Sequence, residues 1–264
     1  MKKATSSRNS LVRGFLDEME ELIYQMRVAG HTLRYRLRSA DTLRYFRGYM
    51  FPAEGPEYDV AVDDERYAIG LKYLSDKPEG YIEGKLLIAL TAQHLLRYGA
   101  CIFHAVAFRW HGYAWLFTGP SGAGKTTQYR RWKAQYGSEV EMICGDMPVL
   151  ALEADGTIRV HPSAWNGKEC LSGDGTAPLG GVIWLAHAEE NSMERMEPAQ
   201  SVRPLLRQFI CIPDTEQEIA AYTALADRMV TDHPVWLLRN RADEESVHLA
   251  RQTLEACLSE RSGV

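Results

Sequence analysis

Three stretches of the chain hold residues whose types and spacing could do chemistry. The first is GPSGAGKTT, Gly119 to Thr127, which satisfies GxxxxGK followed by Ser or Thr without a mismatch. Glycines let a backbone take positive φ and approach an anion closely, so the N–H groups of Gly119, Ser121, Gly122, Ala123 and Gly124 can converge on phosphate oxygens. A helix opening here would add its unpaired donors, Thr127 among them, and the positive end of its dipole. Lys125 then serves as a point charge for the β and γ phosphates, and the Thr126 hydroxyl completes part of a magnesium shell. The stretch therefore predicts a site for ATP and Mg²⁺.

A phosphate cradle alone does not choose between hydrolysis and transfer, because the group facing the γ phosphate decides that. The second stretch, ICGDMPVL, offers Asp146, placed to hold magnesium or to accept a proton from an attacking hydroxyl. The third, CIFHAVAF, puts His104 in a strand that leads toward the glycine-rich loop, as a further catalytic candidate. Two more segments could meet a substrate. HPSAWNGKE, His161 to Glu169, combines an aromatic with Lys168 and Glu169, and EENSMERMEP carries Asn191 and Arg195, a possible second cation for phosphoryl transfer.

These residues need elements to position them. CIFHAVAF reads as one strand, RWHG as a turn and YAWLF as a second strand, a hairpin feeding the loop. Lys125 to Tyr136 reads as a helix closed by Gly137, and Val140 to Cys144 as the next strand. Further strands are expected at Pro148 to Leu152, Thr157 to Val160, Gly181 to Ala186 and Val235 to Leu238. Helices are expected near Gln200 to Ile210, Glu216 to Met229 and Asp243 to Leu258. Upstream, Phe15, Leu22, Ile23 and Met26 have helical spacing, predicting a helix from Leu11 to Val28 capped by Ser10 and stopped at Gly30. TLRYRLR, Thr32 to Arg38, alternates and predicts a strand with one basic face. TLRY recurs at Thr42 to Tyr45, a coincidence rather than a repeat. Pro52 to Val60 reads as a loop, and Tyr81 to Tyr98 as a helix ending at Gly99. Hairpins mixed with crossovers predict an α/β fold with a mixed sheet.

Composition narrows the partners. The 264 residues suffice for a large core, and a net charge of -5 gives no reason to expect nucleic acid. A local cluster of Arg34, Arg36, Arg38, Arg44 and Arg47 is the one basic concentration. No apolar run is long enough to span a membrane, and the N-terminus lacks a secretory apolar core, so a cytoplasmic protein is expected. Cys101, Cys144, Cys170, Cys211 and Cys257 are odd in number and form no CxxC pair, which predicts free thiols. Nothing in the sequence sets the oligomeric state.

Taken in order, FHAVAFRWHGYAWLFTGPSGAGKTT, CGDMPVL and PSAWNGKE resemble the HPr serine kinase/phosphorylase group, whose core is similar to that of phosphoenolpyruvate carboxykinases. The likeness runs from about Glu83 to Leu254, through APLGGVIWLAHAEEN and PVWLLRNRADEESVHLA. Within the group it looks closest to small stand-alone bacterial proteins, some of which phosphorylate serine on peptides. The resemblance implies a P-loop kinase core at 99–264 behind a small α+β portion at 1–98. It also implies His104 beside the site, Lys125 and Thr126 in the cradle, and Asp146 as base. HPr kinases carry two adjacent aspartates at that last position, whereas here Gly145 precedes Asp146, and no counterpart of their C-terminal protein-substrate motif is found. The expected activity is ATP- and Mg-dependent transfer to a hydroxyl, on serine of a peptide or protein or on a small molecule. A nucleotide-gated peptide- or protein-binding module without transfer is the alternative, and a carboxykinase-like enzyme acting on an organic acid is a third.

Overall fold

A computed structural model describes residues 22–46, 48–241 and 243–262. The chain opens with strands β1, Leu22–Val28, and β2, His31–Leu37, which pair antiparallel from Leu22 opposite Leu37 to Val28 opposite His31. The helix expected over Leu11 to Val28 is thus corrected where it can be seen, and its first part lies outside the described residues. Met26 and Val28 are buried while Gln25 and Arg27 are exposed, a period of two. Gly30 is no helix stop: with Ala29 at φ 47° and Gly30 at φ 85°, the pair forms a two-residue hairpin turn. Short strands β3, Phe51–Pro52, and β4, Val60–Ala61, complete a sheet ordered β3-β1-β2-β4. Between them most of Pro52 to Val60 is loop, as expected.

The basic face of β2 is largely answered within the chain. Arg34 pairs with Glu57, Arg38 with Asp64 and Arg44 with Asp41, while Arg36 lies over the ring of Tyr58. Arg47 is outside the described residues. The second TLRY forms a 3-10 turn, Ala40–Tyr45, so the two copies do differ in structure. Helix α1, Asp64–Tyr73, was not anticipated, although Asp63 caps it by accepting from Arg66 N. Helix α2, Glu79–Leu95, continues through a 3-10 turn to Gly99 at φ 66°, the expected glycine stop. Its Glu83, buried, accepts hydrogen bonds from Arg38 N, Ser39 N and the Thr42 hydroxyl. Those donors fix the Ala40–Tyr45 turn against α2.

CIFHAVAF is two strands rather than one. Strand β5, Ala100–Ile102, and β6, Val106–Trp110, are separated at Phe103 to Ala105. There the backbone N–H groups leave the ladder for other partners, Pro148 O, Gln208 O and Asp146 O. Strand β7, Tyr113–Thr118, makes the expected hairpin with β6. Helix α3, Lys125–Tyr136, follows, and Gly137 closes it. Then come β8, Glu141–Cys144, β9, Val149–Leu152, β10, Ile158–His161, and β11, Ala177–His187. Strand β12, Ser192–Arg195, was not anticipated. Helices α4, Pro198–Leu206, and α5, Glu216–Thr231, strand β13, Val235–Asn240, and helix α6, Glu244–Ser262, finish the chain.

The nine strands from β5 onward form one mixed sheet. Strand β11 is its axis, parallel to β7 on one side and to β13 on the other, with its first residues antiparallel to β10. One face buries Phe108, Trp110, Trp115 and Phe117 against Trp132 of α3 and Leu254 of α6. The other packs Leu116, Val160 and Val182 against Leu225 and Met229 of α5. A third apolar cluster joins the four-stranded sheet to the large one, with Tyr35, Phe46 and Leu87 packed beside Ile102, Val149 and Trp165. Among the described residues no helix is long and apolar enough to cross a membrane. The five cysteines are free thiols.

Candidate functional site

The glycine-rich loop leaves the sheet at Thr118, the last residue of β7, and enters α3 at Lys125. Gly119, Gly122 and Gly124 take φ of 142°, 84° and 91°, values that side-chain-bearing residues rarely adopt. A Cβ on Gly119 would stand 2.8 Å from Leu185 O in β11, so only glycine lets the loop pass that close to the neighbouring strand. The loop is held in place by Ala123 N donating to Pro120 O and by His187 Nε2, which lies 2.9 Å from Gly122 O. The amine of Lys125 donates to Gly119 O and Pro120 O, curled over its own loop. Burial pushes its pKa below the ordinary lysine value, and the negative charge of Asp146 works against that shift. Thr126 is half-buried and Ser121 and Thr127 are exposed, so the first turn of α3 is accessible to a ligand.

Asp146 follows β8 and stands beside His104. His104 Nε2 is 3.4 Å from Asp146 Oδ1, with side chains 29% and 31% exposed. The histidine is fixed on every side. Its backbone N–H donates to Gln208 O, its carbonyl accepts from the Thr118 hydroxyl, and its Nδ1 lies 3.2 Å from Gln208 Oε1. The ring thus turns Nδ1 to Gln208 and Nε2 to Asp146. The break in CIFHAVAF is what frees His104 from the ladder to make these contacts, and Ala105 N donating to Asp146 O ties the two segments together.

The neighbouring Gly145 is packed shut. Its N–H donates to Leu171 O, and a Cβ there would meet Leu171 Cβ at 2.8 Å, Leu171 O at 2.9 Å and Asn166 O at 3.0 Å. A second aspartate before Asp146 has no room. Asp146 and Thr126 therefore offer two oxygen donors between them, and among the described residues no cluster of three or more His, Cys, Asp or Glu could form a metal cage. Such a sparse set fits Mg²⁺, which keeps several waters and takes most of its remaining ligands from phosphates.

Asp146 also lines a cavity of about 400 Å³ bounded by the Ala40–Tyr45 turn, α2 and residues 164–168. Lys168 lines it too, which brings one sequence candidate to the site. Glu169 instead pairs with Arg130 on α3. Arg195 is not brought there: it sits on β12 opposite Trp236, and its charge acts on the thiol of Cys257 in α6. Asn191 is likewise occupied elsewhere, donating to Asp243 and Glu245 and accepting from Arg241 N. Gln208, His187 and the cavity-wall residue Lys85 were missed by sequence reasoning, and Arg44, noted only as part of a basic cluster, also lines the cavity. No local motif marks them, because each reaches the site from a separate element.

No family model matches the chain, and no curated protein matches it either. Among solved structures, the HPr(Ser) kinase/phosphatase from Coxiella burnetii is similar over 48% of this chain and 94% of its own, at 14% identity and a TM-score of 0.29. That likeness is distant.

Proposed function

We propose that the protein is an ATP- and Mg-dependent phosphotransferase that moves the γ-phosphoryl group to a hydroxyl, on serine of a peptide or protein or on a small molecule. The observation that carries this reading is the convergence of three groups. Lys125 lies at the mouth of the glycine-rich loop and feels the negative charge of Asp146, and Asp146 is 3.4 Å from His104 while lining an open cavity.

The loop amides and Lys125 would hold the β and γ phosphates, with the lysine amine exchanging its loop carbonyls for phosphate oxygens. Thr126 and Asp146 would hold Mg²⁺, which supplies charge neutralisation on the phosphate oxygens when bound. The acceptor oxygen attacks the γ phosphorus, the bond to the β–γ bridging oxygen breaks, ADP leaves, and the hydroxyl proton passes to Asp146. His104, locked by Gln208, fixes the carboxylate that receives it.

The test is product analysis with γ-labelled ATP and candidate acceptors, including products of neighbouring genes. Lys125→Ala should abolish nucleotide turnover. Asp146→Asn should retain nucleotide binding and lose transfer, and wild-type transfer by this variant would sink the assignment of the base. ATP binding with no ADP formed in the presence of a bound partner would favour the nucleotide-gated module instead.

A further inference from the structure

The cavity beside Asp146 is unequal in charge. Arg44, Lys85 and Lys168 line it against the one carboxylate of Asp146. Among the described residues neither Lys85 nor Lys168 has a carboxylate within ion-pair distance, and Lys85 rests 5.6 Å from the ring centre of Tyr81. Both lysines are exposed. Arg44 is paired with Asp41 on its own turn, but both side chains are largely in solvent, where such a pair is weak and readily exchanged. The nearby carboxylates are already engaged: Glu83 by two backbone donors and Thr42, and Glu169 by Arg130. The remaining wall mixes aromatic and aliphatic side chains, with Tyr45 edge-on to Tyr81, and Trp165, Ile88 and Met147 also lining it. Its volume falls within the roughly 300–1,000 Å³ of ordinary ligand pockets.

We propose that this cavity seats the acceptor, and that the acceptor is a short peptide segment carrying an oxyanion next to its hydroxyl residue. Lys85 and Lys168 bind the oxyanion, while Tyr81 and Trp165 cover an apolar neighbour. The hydroxyl is thereby presented to Asp146 in the cavity wall. The identity of the occupant as an acceptor rests on the phosphotransferase reading, whereas its charge preference rests on the lysines alone.

The experiment uses three capped peptides, acetyl-Tyr-Ser-Glu-amide, acetyl-Tyr-Ser-Gln-amide and acetyl-Tyr-Ser-phosphoserine-amide. Binding is measured by calorimetry with a non-hydrolysable ATP analogue and Mg²⁺, and transfer is measured separately with labelled ATP. The glutamate or phosphoserine peptide should bind at least about tenfold more tightly than the glutamine peptide, and the better of the two identifies the oxyanion. Lys85→Met with Lys168→Met should bring the three to within about twofold, and Lys85→Arg with Lys168→Arg should restore the preference. Melting curves confirm that both variants are folded. Equal affinities, no binding of any peptide, or a preference that survives the double Met variant overturns the proposal. Preferential binding without transfer leaves the cavity assignment standing and removes the kinase reading, and transfer without preference does the reverse.

Discussion

Introducing a second carboxylate before Asp146 should damage this protein rather than improve it. In Gly145→Ala the added methyl would sit 2.8 to 3.0 Å from Leu171 Cβ, Leu171 O and Asn166 O, well inside ordinary contact. Two of those atoms are carbonyl oxygens; one of them, Leu171 O, accepts from Gly145 N, so the segment cannot slide away without losing that bond. Overpacking of this kind costs about 1–3 kcal/mol. Gly145→Asp adds a carboxylate facing the same carbonyl oxygens in a buried position, where an unpaired charge costs about 3 kcal/mol or more. At about 2–4 °C per kcal/mol for a chain of this size, the alanine variant should melt roughly 2–12 °C below the parent and the aspartate variant at least twice as far below. Thermal unfolding followed by circular dichroism at fixed protein concentration reads both. If Gly145→Asp melted within a degree of the parent, the single-carboxylate site would not be sterically enforced.

Two other expectations concern histidines. Gln208→Leu removes the side-chain partner of His104 Nδ1 but leaves the backbone bond from His104 N to Gln208 O. Transfer should fall about tenfold with nucleotide affinity unchanged, and the pH profile of the rate should shift; an unaltered rate and profile would show that His104 needs no such anchor. On the acid side, burial and the charge of Arg261 push His233 down to about 4, and burial also lowers His94 and His161. Unfolded, these rings take up protons near 6.5, so between pH 6.5 and 4 the unfolded state binds more protons and stability drops as pH falls. His233 alone is worth on the order of 3 kcal/mol across that window. Urea unfolding at pH 7 and pH 4.5 should show the loss, and His233→Gln should flatten it.

Much of the large sheet was legible because its signals are local. The helix Lys125–Tyr136 begins and ends where the lysine and Gly137 predict, and the strand before it carries the unbroken apolar run Tyr113 to Phe117. Leu22–Val28 was misread as helical because Leu22, Ile23 and Met26 suit either period over so short a run, and pairing with His31–Leu37 decided the matter. The split of CIFHAVAF was equally hidden, since its cause is hydrogen bonding to Asp146, Pro148 and Gln208, distant in sequence.

By itself the sequence determined the glycine-rich loop, its lysine and the carboxylate after the next strand, because backbone freedom and side-chain chemistry at those positions are set residue by residue. The tertiary structure alone decided that His104 faces Asp146, that Gly145 excludes a second aspartate, and that Lys168 joins the cavity while Arg195 does not. Those outcomes depend on which strands become neighbours and how closely the segments between them approach, and no local pattern encodes either.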